Sequence, residues 1–286
     1  MIRTALTHHA PHQVSEAAAV LAAHGPDAAV LGGGTVLLPA MGRGDRTHGH
    51  VVDLRRLGLA GVRAVGTEVE IGAMTTYTAL LASAELDGRA ALLRLAAEGI
   101  TGGPQLRNQG TVGGSACYAN PASDVPAVLV AAGAQLRLEG PDGVRELPAA
   151  EFFRDAFVTA LGRGEVLTMI RVPRRPVRLG YAKLKLSESS WPIATAAACV
   201  ESADGQIVSA TVTVGAVCRT PVTVDVTGLL DGEGRLRAGA DELDAWVDHH
   251  MNQPWDDELA PADYRRQVAG AIARRALKQT EESGKR

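Results

Sequence analysis

Cysteine is scarce in this chain of 286 residues: Cys117, Cys199 and Cys218 are scattered and odd in number. They offer no disulfide framework, which fits a reducing compartment. They are also too few for an iron–sulfur cluster, which generally takes about four cysteine ligands, commonly at close spacing. Aromatic residues make up 3% and the net charge is -3, with no basic stripe interleaved with aromatics, so nucleic acid has no footprint here. No uninterrupted apolar stretch reaches the roughly 18 residues a membrane span needs. The N-terminal sequence MIRTALTHHAPHQVSEAAAVLAAHG has no apolar segment after a basic start, so it does not read as a secretory signal. A soluble, cytoplasmic protein with no integral membrane segment is expected.

The common nucleotide signatures are missing as well. A dinucleotide fingerprint G-x-G-x-x-G starting at Gly32 would need glycine at position 37, where the chain has Leu37. There is no G-x-x-x-x-G-K-[ST] run, so P-loop nucleotide hydrolysis has no support. The pairs His8-His9 and His249-His250 carry no cysteine or carboxylate signature. Adjacent helix positions diverge by about 100 degrees, so these pairs read as solvated surface and not as a metal site. No Ser-His-Asp or paired-carboxylate arrangement calls for acid–base chemistry, and no catalytic residue is assigned.

What the chain does have is glycine in two concentrated places. Residues 101–115 read TGGPQLRNQGTVGGS, and residues 32–39 read GGGTVLLP directly after the apolar run at 28–31. Glycine turns at positive φ, approaches a ligand closely, and lets several N–H groups point inward at once. Consecutive amides of that kind form a concave anion site suited to a pyrophosphate. Either segment alone is equally a plain turn; two such cradles in one chain suggest a dinucleotide.

The segments GGGTVLLP and PQLRNQGTVGGSACYANPASDVPAVL resemble the FAD-binding, medium-sized subunit of molybdenum hydroxylases, the family of carbon monoxide dehydrogenase and the xanthine dehydrogenases. That family writes them approximately as AGGxSLLP and PQxRNxGTxGGNxxxxxPxxDxPxxL. The likeness continues through GEVLTMIRVP at 164–173, GYAKLKLSESSWPIATAAA at 180–198 and PADYRRQVAGAIARRAL at 261–277, covering essentially the whole chain.

The resemblance implies a residue-by-residue assignment. Gly32, Gly33, Gly34, Thr35 and Val36 fall on the first FAD loop, where main-chain amides hold the pyrophosphate. Thr111, Val112, Gly113, Gly114 and Ser115 fall on the second, with the hydroxyls of Thr111 and Ser115 able to donate to phosphate or ribose oxygens. Asp124 matches an acid at the nucleotide portion of the flavin, and Asp124-Val125-Pro126 also reads as a helix N-cap. Leu167 matches an apolar contact on the isoalloxazine side. Lys185 matches a lysine at the flavin end, although Lys183 lies two residues away and, on a strand, on the same face. Two departures stand out: Val36 replaces the usual serine or aspartate, and Pro192 replaces a common aspartate beside the ring system, a change that bears on flavin potential or acceptor choice. Trp191 reads either as a shield for the ring or as plain packing.

Length and a 46% apolar content suggest two domains with proper cores. Residues 14–24 read as a helix with Ser15 as a possible cap and Gly25 as the stop, followed by strands at 28–31, 51–54, 62–65 and 69–73. Helices are expected at 75–83 and 89–98, and a helix running into a strand at 129–138. A tight turn at 139–143, a linker at 173–176 and strands at 181–186, 193–201 and 208–216 follow, with Asp204-Gly205 as a hairpin turn. A basic amphipathic helix closes the chain at 263–280. The alternation without a Rossmann fingerprint points to α+β layers.

The resemblance implies more: an FAD domain of two α+β subdomains over 1–174, divided at about residue 55, of the vanillyl-alcohol-oxidase-like (PCMH) type. A smaller domain over 177–286, with an antiparallel sheet and a helical bundle, would follow, and FAD would lie between the subdomains. It further implies that the molybdenum cofactor and the 2Fe-2S clusters sit on separate large and small partner subunits, assembled as a dimer of heterotrimers. The function expected is electron transfer, from partner iron–sulfur clusters through FAD to an external acceptor. The rivals are a self-sufficient FAD-dependent oxidoreductase and a non-enzymatic nucleotide-binding module.

Overall fold

The computed structural model describes residue 2, residues 4–237 and residues 240–283. The chain begins with β1 (Thr7–His9), α1 (Val14–His24), β2 (Ala28–Leu31), α2 (Leu37–Arg43) and β3 (His50–Asp53). These strands form a three-stranded parallel sheet in the order β1-β3-β2. Helix α1 turns its alanine-rich face inward, with Ala17, Leu21, Val52 and Leu54 making a small core. Gly25 stops it at φ 52, in the region where glycine carries no steric penalty. Ser15 is not its cap. Gln13 occupies that position, the Ser15 hydroxyl sits 3.5 Å from Gln13 Oε1, and Glu16 accepts from the His12 N–H at 2.8 Å.

A second, larger layer follows: β4 (Val62–Val65), β5 (Glu68–Gly72), α3 (Tyr77–Ala82), α4 (Ala91–Glu98), α5 (Gly103–Gln109), α6 (Val112–Tyr118) and α7 (Asp124–Ala131). Then come β6 (Gln135–Gly140), β7 (Gly143–Pro148), α8 (Ala149–Phe152), β8 (Phe153–Asp155), β9 (Val158–Thr159) and β10 (Val166–Pro173). Strands β4-β5-β10-β6-β7 form an antiparallel sheet in that order, and β8 pairs with β9. Period-two burial is clear on its inner face: Val69 and Ile71, Leu136 and Leu138, Ile170 and Val172 are all fully enclosed. Helices α3, α4, α6 and α7 cover that face through Leu80, Leu92, Leu93, Val112 and Val128. The register of β10 against β6 slips between Leu167 and Met169. Such a bulge re-aims side chains, and here Leu167 and Thr168 are both buried.

Past residues 174–177 come β11 (Arg178–Lys185), β12 (Pro192–Ala203), β13 (Gln206–Gly215), β14 (Val222–Asp225), α9 (Ala240–His250) and α10 (Ala262–Ser283). The four strands are antiparallel in sequence order, and Asp204-Gly205, at φ 51 and 77, makes the hairpin turn between β12 and β13. Residues 193–200 of β12 are buried throughout because the sheet is covered twice, by α9 and α10 on one side and by α7 on the other. Alanines and glycines make that close packing possible. A Cβ on Gly180 would strike the Ala276 carbonyl of α10, and one on Gly215 would lie 2.6 Å from the Ala127 Cβ of α7. Leu179, Tyr181, Ala197 and Cys199 therefore belong to the same core as helices α3, α4, α6 and α7.

The C-terminal layer is pinned by Arg265, whose side chain is fully buried. It donates to the carbonyls of Ile193 and Ala216, both at 2.7 Å, and of Ala260 at 3.1 Å, and it pairs with Asp257. Burial opposes ionisation of Asp257, but hydrogen bonds from Trp255 and Leu259 and the charge of Arg265 together hold its carboxyl below the ordinary range. Replacing Arg265 by Met removes the donor these three carbonyls share and the charge partner of Asp257. The expected loss is about 3 kcal/mol or more of folding stability, measured by urea denaturation of the full chain.

The histidines of the first layer are not simply solvated. His9 Nε2 lies 2.9 Å from His50 Nδ1, tying β1 to β3, and the rings of His24 and His50 stack with centroids 3.5 Å apart. Partial burial, then the neighbouring His50, His24 and His8, lower the pKa of His9 below the ordinary histidine value. The unfolded chain thus takes up the proton first. The stability this site contributes is present above about pH 6.5 and is lost as pH falls through the lowered native value. Thermal melts across that range should show an acid limb that shrinks in His9→Gln.

Candidate functional site: a glycine-lined cavity

The two glycine segments meet. Gly33, in the turn after β2, lies against the backbone of Gln109 and Gly110 so closely that a Cβ there would strike the Gln109 carbonyl and lie 3.0 Å from Gly110 Cα. A Cβ on Gly32 would lie 3.1 Å from Thr111 Oγ1. Between them opens a cavity of about 420 Å³, within the range of small-molecule and cofactor sites. Its floor and walls come from the turn at 32–37, from Ala73, Met74 and Tyr77, from the start of α6, from Asp124 at the start of α7, and from the β10 bulge.

Eleven of the thirteen residues expected at the site border this cavity: Gly32, Gly33, Gly34, Thr35, Val36, Thr111, Gly113, Gly114, Ser115, Asp124 and Leu167. Val112 does not; its side chain is fully enclosed in the main core. Lys185 does not either, since its ammonium turns outward to the Glu188 carbonyl at 2.9 Å. Residues that border it without any signal in the motifs include Tyr77, Ile100, Arg46 and His48, brought in by the fold from outside the glycine segments.

The two segments contribute different chemistry. The N–H groups of Gly33, Gly34, Thr35 and Val36 donate to no acceptor among the described residues, so the first turn offers free amides together at one cavity wall. The second segment is not an open loop but two short helices, α5 and α6, and its amides are already engaged. Val112 and Gly113 donate to the carbonyls of Thr75 and Ala73, Ser115 to that of Thr111, and Gly114 to the Thr111 hydroxyl at 3.1 Å. Nor do Gly110, Gly113 and Gly114 take positive φ; only Gly102 and Gly103 do. Gly113 is needed for closeness, because a Cβ would lie 2.6 Å from Ala73. What α6 offers the cavity is its Thr111 and Ser115 hydroxyls and the bare surface of Gly114.

Two tyrosine contacts, one to Ser115 and one to Asp124, close the wall behind α6. The Tyr77 hydroxyl bonds Ser115 Oγ, and burial, with a contribution from the charge of Asp124, pushes the Tyr77 phenol far up its scale, leaving a neutral donor. Asp124 is 2% exposed and is not the cap of α7. Ser123 holds that position, accepting from the Val125 N–H at 3.4 Å, and Asp124 receives the Tyr181 hydroxyl and the Lys183 ammonium instead. Cys117 also borders the cavity, but burial pushes its thiol up to about 12, so it stays protonated and unreactive at neutral pH. Trp191 reaches the rim and is 39% exposed. Among the described residues no group of three or more His, Cys, Asp or Glu is placed to hold a metal ion, and no helix is long and apolar enough to cross a membrane.

The family profile described as "FAD binding domain in molybdopterin dehydrogenase" matches residues 4–175. The chain belongs to that family. The carbon monoxide dehydrogenase medium chain of Afipia carboxidovorans is 36% identical over 100% of both chains, and that of Hydrogenophaga pseudoflava 34% identical over 97% of both. Among solved structures, a chain of the Cu,Mo-CO dehydrogenase in its cyanide-inactivated form superposes with a TM-score of 0.88 at 34% identity, covering 99% of this chain and 100% of that one. FAD is accordingly the cofactor of this chain, which is the flavoprotein subunit of an oxidoreductase. The cavity fits such a ligand: side chains are absent where the two backbones converge, amides are free along one wall, and apolar surface from Leu167, Ile100 and Leu106 lies beyond them.

Gly33→Ala forces the turn away from Gln109 and is expected to cost about 1–3 kcal/mol of stability together with most of the bound FAD. Gly42→Ala, in a helix with nothing within 4 Å of the new methyl, leaves both unchanged. Flavin-to-protein ratio and melting temperature of the two purified variants check this.

Proposed function

We propose that this chain is the electron-transferring FAD subunit of a molybdenum hydroxylase complex, receiving electrons from iron–sulfur clusters on a small partner subunit and releasing them to an external acceptor. The observation that carries the reading is the convergence of Gly33 on Gln109–Gly110 over one cavity with free amides on one side and hydroxyls on the other. When bound there, FAD supplies a carrier that takes electrons singly and gives them up one or two at a time.

The residues of the chain bind and orient. The N–H groups of Gly33, Gly34, Thr35 and Val36 hold the diphosphate, with Gly32 completing the turn. Thr111 and Ser115 donate hydroxyls to phosphate or ribose oxygens, while Gly113 and Gly114 let α6 come close. Val112 acts through the core, fixing α6 from behind. Asp124 accepts from the nucleotide portion of the flavin, and Leu167 packs against the ring side. The proposed boundaries are an FAD unit over 1–174, itself divided near residue 55, and a C-terminal unit over 177–286.

Three free cysteines cannot supply a cluster, so the 2Fe-2S clusters and the molybdenum cofactor belong to small and large partners. The dehydrogenase names of the full-length relatives support that arrangement. A dimer of heterotrimers in the cytoplasm is the proposed assembly.

Purification of the chain with its neighbours tests the reading. The expected outcome is a yellow protein from which acid releases FAD, copurifying with a molybdenum subunit and an iron–sulfur subunit, and turning over only when all three are present. A colourless chain that FAD cannot reconstitute, or a single chain that oxidises substrate unaided, overturns it.

A further inference from the structure

One buried polar cluster at the cavity wall is built by the half of the chain that carries no glycine cradle. Tyr181 and Lys183 stand on the same face of β11, and both donate to Asp124: the phenol to Oδ1, and the ammonium to Oδ1 at 3.0 Å. Lys183 also donates to the Gly99 carbonyl at 2.5 Å, and its side chain is 12% exposed against 3% for that of Asp124. Gly99 makes room for this, since a Cβ there would lie 2.7 Å from Lys183 Cε. The next two residues, Ile100 and Thr101, border the cavity. Both donors converge on Oδ1, and no donor among the described residues reaches Oδ2, although Asp124 borders the cavity.

A buried carboxylate is costly unless it is paired and hydrogen-bonded. Here the partners come from across the 174–177 connection. Helix α7, which begins at Asp124, packs against β12 and β13. The carboxylate at the cavity wall is therefore held by donors from the C-terminal sheet. Burial and the charge of Asp124 keep the Tyr181 phenol protonated, so it remains a donor at neutral pH.

We propose that Lys183 and Tyr181 are positioning residues that aim Asp124 into the cavity, so that FAD binding and the seating of the C-terminal sheet on the FAD side are one coupled equilibrium. The inference rests on the FAD reading above. It gives Lys183 a role distinct from that expected of Lys185: it acts on the carboxylate and on the 99–101 turn, and does not touch the ligand.

The test is titration of FAD into the deflavinated full-length chain, reading the dissociation constant, the visible circular dichroism of the bound flavin and the rise in melting temperature on binding. Lys183→Met should weaken binding by about tenfold or more, the scale of one lost charge-assisted hydrogen bond, with an altered flavin dichroism and a smaller FAD-induced rise. Lys183→Arg, which keeps the charge, should recover binding to within about threefold of the native chain. Should Lys183→Met fail to fold, Tyr181→Phe and Gly99→Ala carry the same test, the latter by displacing the ammonium.

The proposal is overturned if these variants bind FAD within about twofold of the native chain with an unchanged dichroism, even where their apo forms melt lower, because that is the signature of a purely structural role. A native chain that takes up no FAD at all overturns the functional reading itself, and this inference with it.

Discussion

The structure depends on a backbone-to-backbone contact. Gly33 in the first turn and the Gln109–Gly110 segment ahead of α6 approach until no Cβ fits between them, and that approach sets the width of the cavity. The contact joins the parallel three-stranded sheet to the five-stranded layer, so the cavity lies at a junction that neither layer makes alone. Glycine here is a requirement of distance and not of dihedral angle: Gly33 and Gly113 are not among the positive-φ residues, yet both are pressed against backbone.

Around that contact the chemistry divides unequally. The first turn keeps its amides free, while α6 uses its own to close a short helix and to bind the Ala73–Thr75 turn, presenting hydroxyls in their place. An anion held there meets N–H donors from one side and O–H donors from the other. The hydroxyls can rotate to suit a ligand, whereas the amides are fixed by the backbone. Behind them the wall is closed by phenols, Tyr77 on Ser115 and Tyr181 on Asp124, beside the Asp124–Lys183 pair.

That pair also explains why the C-terminal layer is more than an appendage. Its alanine-rich β12 is thin enough for α7 to pack on one face and α10 on the other, and Tyr181, Ala197 and Cys199 are shared with the main core. Arg265 fastens the start of β12 from below, just beyond Trp191 at the cavity rim. The cavity thus draws on all three layers, and the connection at 174–177 marks a change of sheet without a gap in packing.

Much of this was legible in residue order. Short apolar runs marked β5 and part of β6, Gly25 ended α1, and Asp204-Gly205 made its hairpin, because these are local consequences of side-chain period and of which residues tolerate positive φ. The clustering of glycine in two segments likewise determined that the backbone would come close to something, and the motifs around it determined the family. Folding alone decided what it came close to. Whether an amide is free or engaged depends on a carbonyl some 40 residues away in sequence, or on its own helix, as with Gly113 on Ala73 and Gly114 on Thr111. Whether Lys183 or Lys185 turns toward Asp124 depends on the β-bulge between Leu184 and Lys185, which sends the second lysine outward. Local conformation is written in short-range sterics and can be read from a string; the pairing of buried polar groups is settled by which distant elements share the same space, and only the packed chain contains that information.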